Sequence, residues 1–149
     1  MENPKAAMQT ALKAAMLNKD TARRDAIRMA MSAIKQVEVD ERRELTAEDV
    51  VVVLQKEVKT LRESIQEWRN AGRGAEQIAE LEHNLSVLES FLPEQLSRED
   101  IAALAQEAIA QTGATSVKEM GKVMSALMPK VKGKADGKLV NEVVRELLG

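Results

Sequence analysis

No cysteine occurs in the 149 residues, which excludes disulfides and thiolate chemistry and is compatible with a reducing compartment. Tyrosine is also absent, and there is one phenylalanine and one tryptophan. A core must therefore be built from aliphatic contacts, and recognition of single-stranded RNA by stacking bases on rings has almost nothing to work with. His83 is the only histidine. Neither a Ser-His-Asp nor a Cys-His arrangement can be recognised, and no phosphate-binding or dinucleotide glycine pattern occurs. No apolar run approaches the roughly 18 residues of a membrane span, and the first residues lack the basic-then-apolar pattern of a signal peptide. These absences set an expectation: a soluble cytoplasmic protein with no catalytic residues, metal or cofactor of its own, and no membrane partner.

What is present points to helices. Hydrophobic residues make up 44% and charged residues 31%, the balance of a folded soluble chain. Ala, Glu, Lys, Leu, Gln, Met and Arg dominate, and these are good helix formers. The fold class expected is all-α. The net charge of −2 hides an asymmetry. Residues 1–117 hold 15 Lys/Arg against 20 Asp/Glu, a balance of −5, whereas residues 118–149 hold 7 against 4, a balance of +3. An anionic partner is drawn to one end of such a molecule.

The apolar spacing predicts seven helices. Asn3-Pro4 opens the first, which runs to about Asn18. Asp20 or Thr21 caps the second, carrying Ile27, Ala30, Met31, Ile34 and Val37, and the charged run Asp40–Glu44 reads as a solvated turn. Thr46 opens a long third helix to Ala71, with Gly72 as its C-cap glycine. After Gly72-Arg73-Gly74 a fourth helix returns from Ala75 to Phe91 as an antiparallel hairpin, with Trp68 as a packing anchor beside the turn. Leu92-Pro93 breaks the pattern. A four-helix region over 1–93 is thus expected to precede a compact three-helix domain over 94–149. In the latter, Ser97 and Ser116 open the fifth and sixth helices through capping boxes, Pro129 closes the sixth, and Asp136 caps the seventh. The seventh places Leu139, Val140, Val143, Val144, Leu147 and Leu148 on one wide face.

Three groupings invite a functional reading. Glu80-Leu-Glu-His83 has the Glu-x-x-His spacing of di-iron bundles, but such sites need two motifs and the chain offers one. Met120, Met124 and Met128 recur every four residues and could make an adaptable groove, although burial against the seventh helix accounts for them more simply. The third grouping is the lysine-rich segment. Lys118, Lys122, Lys130, Lys132, Lys134 and Lys138 bracket two helix ends, opposed between Lys118 and Lys138 only by Glu119 and Asp136. Gly133 and Gly137 would let a backbone approach a phosphate, and the start of the seventh helix would offer free N–H groups. Such a set suits phosphate contacts that give affinity without sequence specificity. A plain solvated loop is the competing reading, since Asp136 puts a negative charge where a phosphate would sit.

The same residues carry a family resemblance. Gly113-Ala-Thr-Ser116 and Met120-Gly-Lys-Val-Met-Ser-Ala-Leu-Met-Pro-Lys-Val-Lys-Gly-Lys-Ala-Asp-Gly-Lys-Leu-Val-Asn141 closely resemble the tail signature of the YqeY/GatB family. Glu89-Ser-Phe-Leu-Pro-Glu-Gln-Leu96 resembles that family's segment between domains, and Arg28-Met-Ala-Met-Ser-Ala-Ile34 its early helix. The resemblance implies an all-α protein whose tail is related to the tRNA-contacting domain of the GatB component of the glutamine-dependent tRNA amidotransferase. Similar domains are appended to some glutaminyl-tRNA synthetases. Carried over by motif, the RNA-binding candidates are Lys122, Lys130, Lys132, Gly133, Lys134, Gly137, Lys138 and Asn141, with Lys118 and Arg145 added from charge alone.

The expectation is therefore a non-catalytic tRNA-binding accessory that recognises folded RNA by shape and phosphate. Two alternatives stand beside it. One is a protein-interaction module that docks on an amidotransferase or an aminoacyl-tRNA synthetase through the four-helix region. The other is carbon–nitrogen ligase activity with glutamine as amide donor, inherited from the family. The large catalytic region of that amidotransferase component has no counterpart in these 149 residues, so such a label is expected to reflect kinship rather than chemistry.

Overall fold

The computed structural model describes residues 2–149. Among them are seven α-helices, one short 3₁₀ turn and no strand, so the protein is all-α. The chain divides into two compact units, Met1–Leu92 and Pro93–Gly149.

The first unit holds α1 (Pro4–Leu17), α2 (Thr21–Glu41), α3 (Ala47–Ala71) and α4 (Ala75–Glu89). The first three starts each follow from a short polar side chain that takes up an otherwise unpaired N–H. Asn3 accepts from the Lys5 amide at 3.0 Å with Pro4 in the first helical turn, and Asp20 accepts from the Arg23 amide at 3.1 Å. At α3, Thr46 and Asp49 bond each other's backbone amides reciprocally, both at 3.2 Å. Helix α2 touches the other three, and α3 and α4 pack along each other as a hairpin. Met8, Ile27, Ile34, Leu54, Leu61 and Leu88 fill the space between them. In the hairpin turn, Gly74 has φ +85°, and a Cβ there would run into the Trp68 ring. Trp68 is therefore a packing anchor, and the chain can turn so tightly only because residue 74 has no side chain.

Two details depart from the sequence reading. The fourth helix ends at Glu89, not Phe91, and Phe91 and Leu92 bond back to Leu88 and Glu89 in tighter three-residue turns. The run Asp40–Glu44 is more than a solvated turn. Asp40 and Glu41 complete α2, Arg42 reverses the chain at φ +56°, and Arg43 bridges Glu41 and Asp49. Those bonds hold the Asp49 carboxyl down at about 2, the Arg43 guanidinium being the largest cause and Thr46 the next. Nearby, Glu38 accepts from both the Lys5 ammonium and the amide of buried Leu45. The Leu45 amide and Lys5 together lower its pKa. One carboxylate thus ties α1, α2 and the approach to α3.

The second unit holds α5 (Arg98–Thr112), a 3₁₀ turn (Val117–Glu119), α6 (Met120–Val131) and α7 (Gly137–Leu148). Ser97 and Asp100 form the expected capping box, both bonds at 3.1 Å, and Gly113 ends α5 at φ +69°. Ile101, Ala105 and Ala108 of α5 meet Val123, Leu127 and Val131 of α6 and Val140, Val143 and Val144 of α7. Here too the structure departs from the sequence reading. Ser116 makes no capping bond: Glu119, which the box requires, instead accepts from the Thr115 hydroxyl at 3.3 Å, and the chain takes a 3₁₀ turn before α6. Pro129 does not close α6. It lies inside the last turn at the cost of one backbone hydrogen bond, and the helix continues to Val131, with the Lys132 amide still bonding the Met128 carbonyl at 2.9 Å. Met120, Met124 and Met128 are half-buried against this core, so the methionine stripe serves packing.

Candidate nucleic-acid interface

The connection between α6 and α7 is where the lysines concentrate, and its backbone is held tightly. Gly133 is buried at φ +79°, a left-handed conformation that favours glycine. Its carbonyl accepts from the Gln95 side chain at 3.0 Å, and the Lys134 carbonyl accepts from the Leu96 amide at 2.8 Å. The amides of Lys134 and Ala135 both bond the Val131 carbonyl, at 2.9 and 3.1 Å. The segment that precedes α5 thereby clamps the loop from which the lysines project.

All six lysines, with Gly137, Asn141 and Arg145, are exposed; among the ten candidate residues only Gly133 is buried. They fall into two groups along the helices. Lys130, Lys132, Lys134 and Lys138 surround the loop, whereas Lys118 and Lys122 lie at the other end of α6, roughly 12 Å away by helix rise. On α7, Lys138, Asn141 and Arg145 recur at i, i+3 and i+7, opposite the buried valines. The end of α7 returns toward the 3₁₀ turn, where Gly149 approaches a Val117 methyl. Arg145 therefore belongs to the end that carries Lys118 and Lys122.

The charge environment differs from one lysine to the next. Lys130, in the last turn of α6, is 4.0 Å from Glu107 of α5, and its position also complements the negative end of the helix dipole. Lys122 and Lys138 are different, because each sits in the first turn of its helix, where the dipole disfavours a cation. Neither has a carboxylate within 4.0 Å among the described residues. Asp136 offsets part of that cost at α7, accepting from the Lys138 amide at 3.2 Å. That bond also changes the expected geometry. The first turn of α7 is already occupied by a carboxylate, and Gly133 serves the turn rather than exposing its backbone. Gly137 opens α7 with free space where a Cβ would stand. An anion would meet lysine side chains here more than a nest of amides.

Elsewhere the candidates do not assemble. His83 is exposed on α4, and the described residues gather no group of three or more His, Cys, Asp or Glu side chains placed to hold a metal. No helix among them is long and apolar enough to cross a membrane. The residues that the sequence reading missed are Gln95 and Leu96. Their bonds reach 38 residues along the chain, and no local pattern announces them.

Comparison with known families settles kinship. The family described as Yqey-like protein matches residues 5–148, which is nearly the whole chain. The protein belongs to the YqeY-like family. No curated protein matches it. The YqeY-like match covers the α1–α2 region and the α6–α7 loop alike, so both units fall within one family unit of sequence.

Proposed function

We propose that this YqeY-like protein is a non-catalytic accessory that binds folded tRNA by its phosphate backbone through the α6–α7 lysines. The observation that carries this reading is the placement of Lys122 and Lys138. Each is an exposed lysine in the first turn of a helix, where the dipole opposes it, and among the described residues the ammonium of neither has a carboxylate within 4.0 Å. Stability of the fold does not favour those positions, whereas an incoming phosphate would. The clamped loop adds to this. A backbone already fixed by Gln95 and Leu96 loses little entropy when its lysines engage. No aromatic ring belongs to the second unit, which favours recognition of shape and phosphate over stacking. The tail's resemblance to the amidotransferase tail domain makes tRNA the RNA of choice.

Binding of purified protein to total tRNA across a salt series tests the proposal. Affinity should fall with a log–log slope of about −3 or steeper, as expected for three or more phosphate contacts. Changing Lys130, Lys134 and Lys138 together to Glu should abolish binding while far-UV circular dichroism stays unchanged. Unaltered affinity in that variant, or no binding at low salt, refutes the reading.

A further inference from the structure

The α1–α2 face of the first unit carries a second charged surface, of a different kind. Two adjoining cavities of about 480 and 370 Å³ share Lys5, Lys35 and Glu38. The first is floored by Leu12, Met31 and Ile34, and the second continues past Val39 to Arg42. Lys5 meets Glu38 at 3.1 Å and Arg28 reaches Met16 at 3.9 Å, so α1 runs antiparallel along α2 with a trough beside their seam.

The trough has a repeat. Arg28, Lys35 and Arg42 are spaced seven residues apart, which sets a cation roughly every 10 Å over roughly 20 Å. None of the three has a carboxylate within 4.0 Å among the described residues, whereas Lys5 is neutralised by Glu38 and Arg43 by Glu41 and Asp49. Glu44 is the remaining acid in the lining. Apolar side chains lie between and beyond the cations. Val39, which lines the second cavity, and Met16, which Arg28 reaches, are 58% and 52% exposed. Met16 stands eleven residues after Lys5 on α1, and Val39 eleven after Arg28 on α2, so each extends its own helix's side of the trough.

We infer that this trough docks an amphipathic acidic helix of a partner protein. Its apolar stripe would cover Leu12, Met31 and Val39, and carboxylates seven residues apart would meet Arg28, Lys35 and Arg42. The length suits about four helical turns, more than a small molecule would fill. RNA fits less well. No aromatic residue lines the trough, an aliphatic floor offers nothing to phosphates, and the surrounding unit is net acidic, with 14 Lys/Arg against 16 Asp/Glu. This inference is independent of the tRNA reading, which concerns the other unit.

Fluorescence anisotropy with three labelled helical peptides tests it on the full chain. The peptides share one leucine stripe and carry Glu, Gln or Lys at positions seven apart. The Glu peptide should bind roughly tenfold or more tighter than the Lys peptide, the effect of two or three exposed ion pairs. Arg28→Glu with Lys35→Glu should reverse that order. Arg28→Gln with Lys35→Gln should remove the preference while circular dichroism confirms folding. Glu substitutions at Lys130, Lys134 and Lys138 should leave peptide binding unchanged. Equal binding of the three peptides, no binding by any, or a preference that survives both Arg28/Lys35 variants overturns the inference. So does tRNA affinity that is lost in the Arg28→Glu, Lys35→Glu variant, which would make the trough an RNA surface.

Discussion

The Met1–Leu92 unit buries Met8, Ile27, Ile34, Leu54 and Leu88 between helices of 14 to 25 residues, whereas Pro93–Gly149 buries mainly valine and alanine between helices of 12 to 15. The charges differ as well. The first unit engages several of its cations in ion pairs, among them Lys5–Glu38, Arg43–Asp49 and Arg62–Glu89. The second holds eight basic and eight acidic residues, yet six of the eight basic ones are the lysines of residues 118–138. Sequence length explains part of this. A unit of 57 residues buries a smaller fraction of its surface, so its margin of stability is narrower. It nevertheless keeps Lys122 and Lys138 at helix starts, where they do not help it fold. In the first unit some charges tie elements together, as Glu38 and Arg43 do, while others border the open trough; in the second, the lysines of residues 118–138 are exposed.

The sharpest way to break this comparison is to damage each core by the same chemical change. Leu54→Ala and Leu127→Ala both remove a fully buried side chain, and each should cost about 2–5 kcal/mol. Hydrogen exchange should show that the Leu127→Ala loss leaves the smaller unit largely unprotected, while Leu54→Ala leaves the larger one folded. Equal loss of protection in the two units would show that size does not separate them.

Glycine substitutions give the next largest effect, and they sharpen the difference between structural and presented residues within the candidate site. Gly133→Ala forces a side chain onto φ +79° and should cost about 1–2 kcal/mol, read as a lower urea midpoint. Gly137→Ala meets open space in a helical turn and should be neutral or slightly stabilising. Matching losses at both positions would mean that the loop, not residue 133, is the sensitive element.

The smallest effect concerns acid. Asp49 titrates at about 2 in the folded protein against 3.8 for an ordinary aspartate. Its stabilising contribution is therefore complete above pH 3.8 and is lost as pH falls toward 2. An Asp49→Asn variant should lack that part of the acid dependence, measured by urea unfolding between about pH 2 and 5, and should be less stable than the parent near neutral pH.

Much of the fold could be read in the sequence because it is written locally. Asn3-Pro4, Asp20, Thr46 with Asp49, and Ser97 with Asp100 each place an acceptor within reach of nearby N–H groups, so helix starts follow from a few adjacent residues. Ser116 misled for the same reason: its pattern is correct, but Glu119 bonded Thr115 instead. In the candidate site, the lysines and their clustering were legible as composition. Their individual surroundings were not, because whether Lys130 faces Glu107 depends on how α5 and α6 pack.

By itself, then, the sequence determined the helical class, the aliphatic core and the concentration of lysine near one turn, since these follow from propensity, periodicity and count. Only the tertiary structure decided that Gln95 and Leu96 clamp that turn, that Glu38 ties three elements, and that Arg28, Lys35 and Arg42 border one trough. Each of these joins residues from separate elements or combines spacing with neighbours from another helix. Contacts of that kind exist only once the chain has packed, so no run of adjacent residues encodes them.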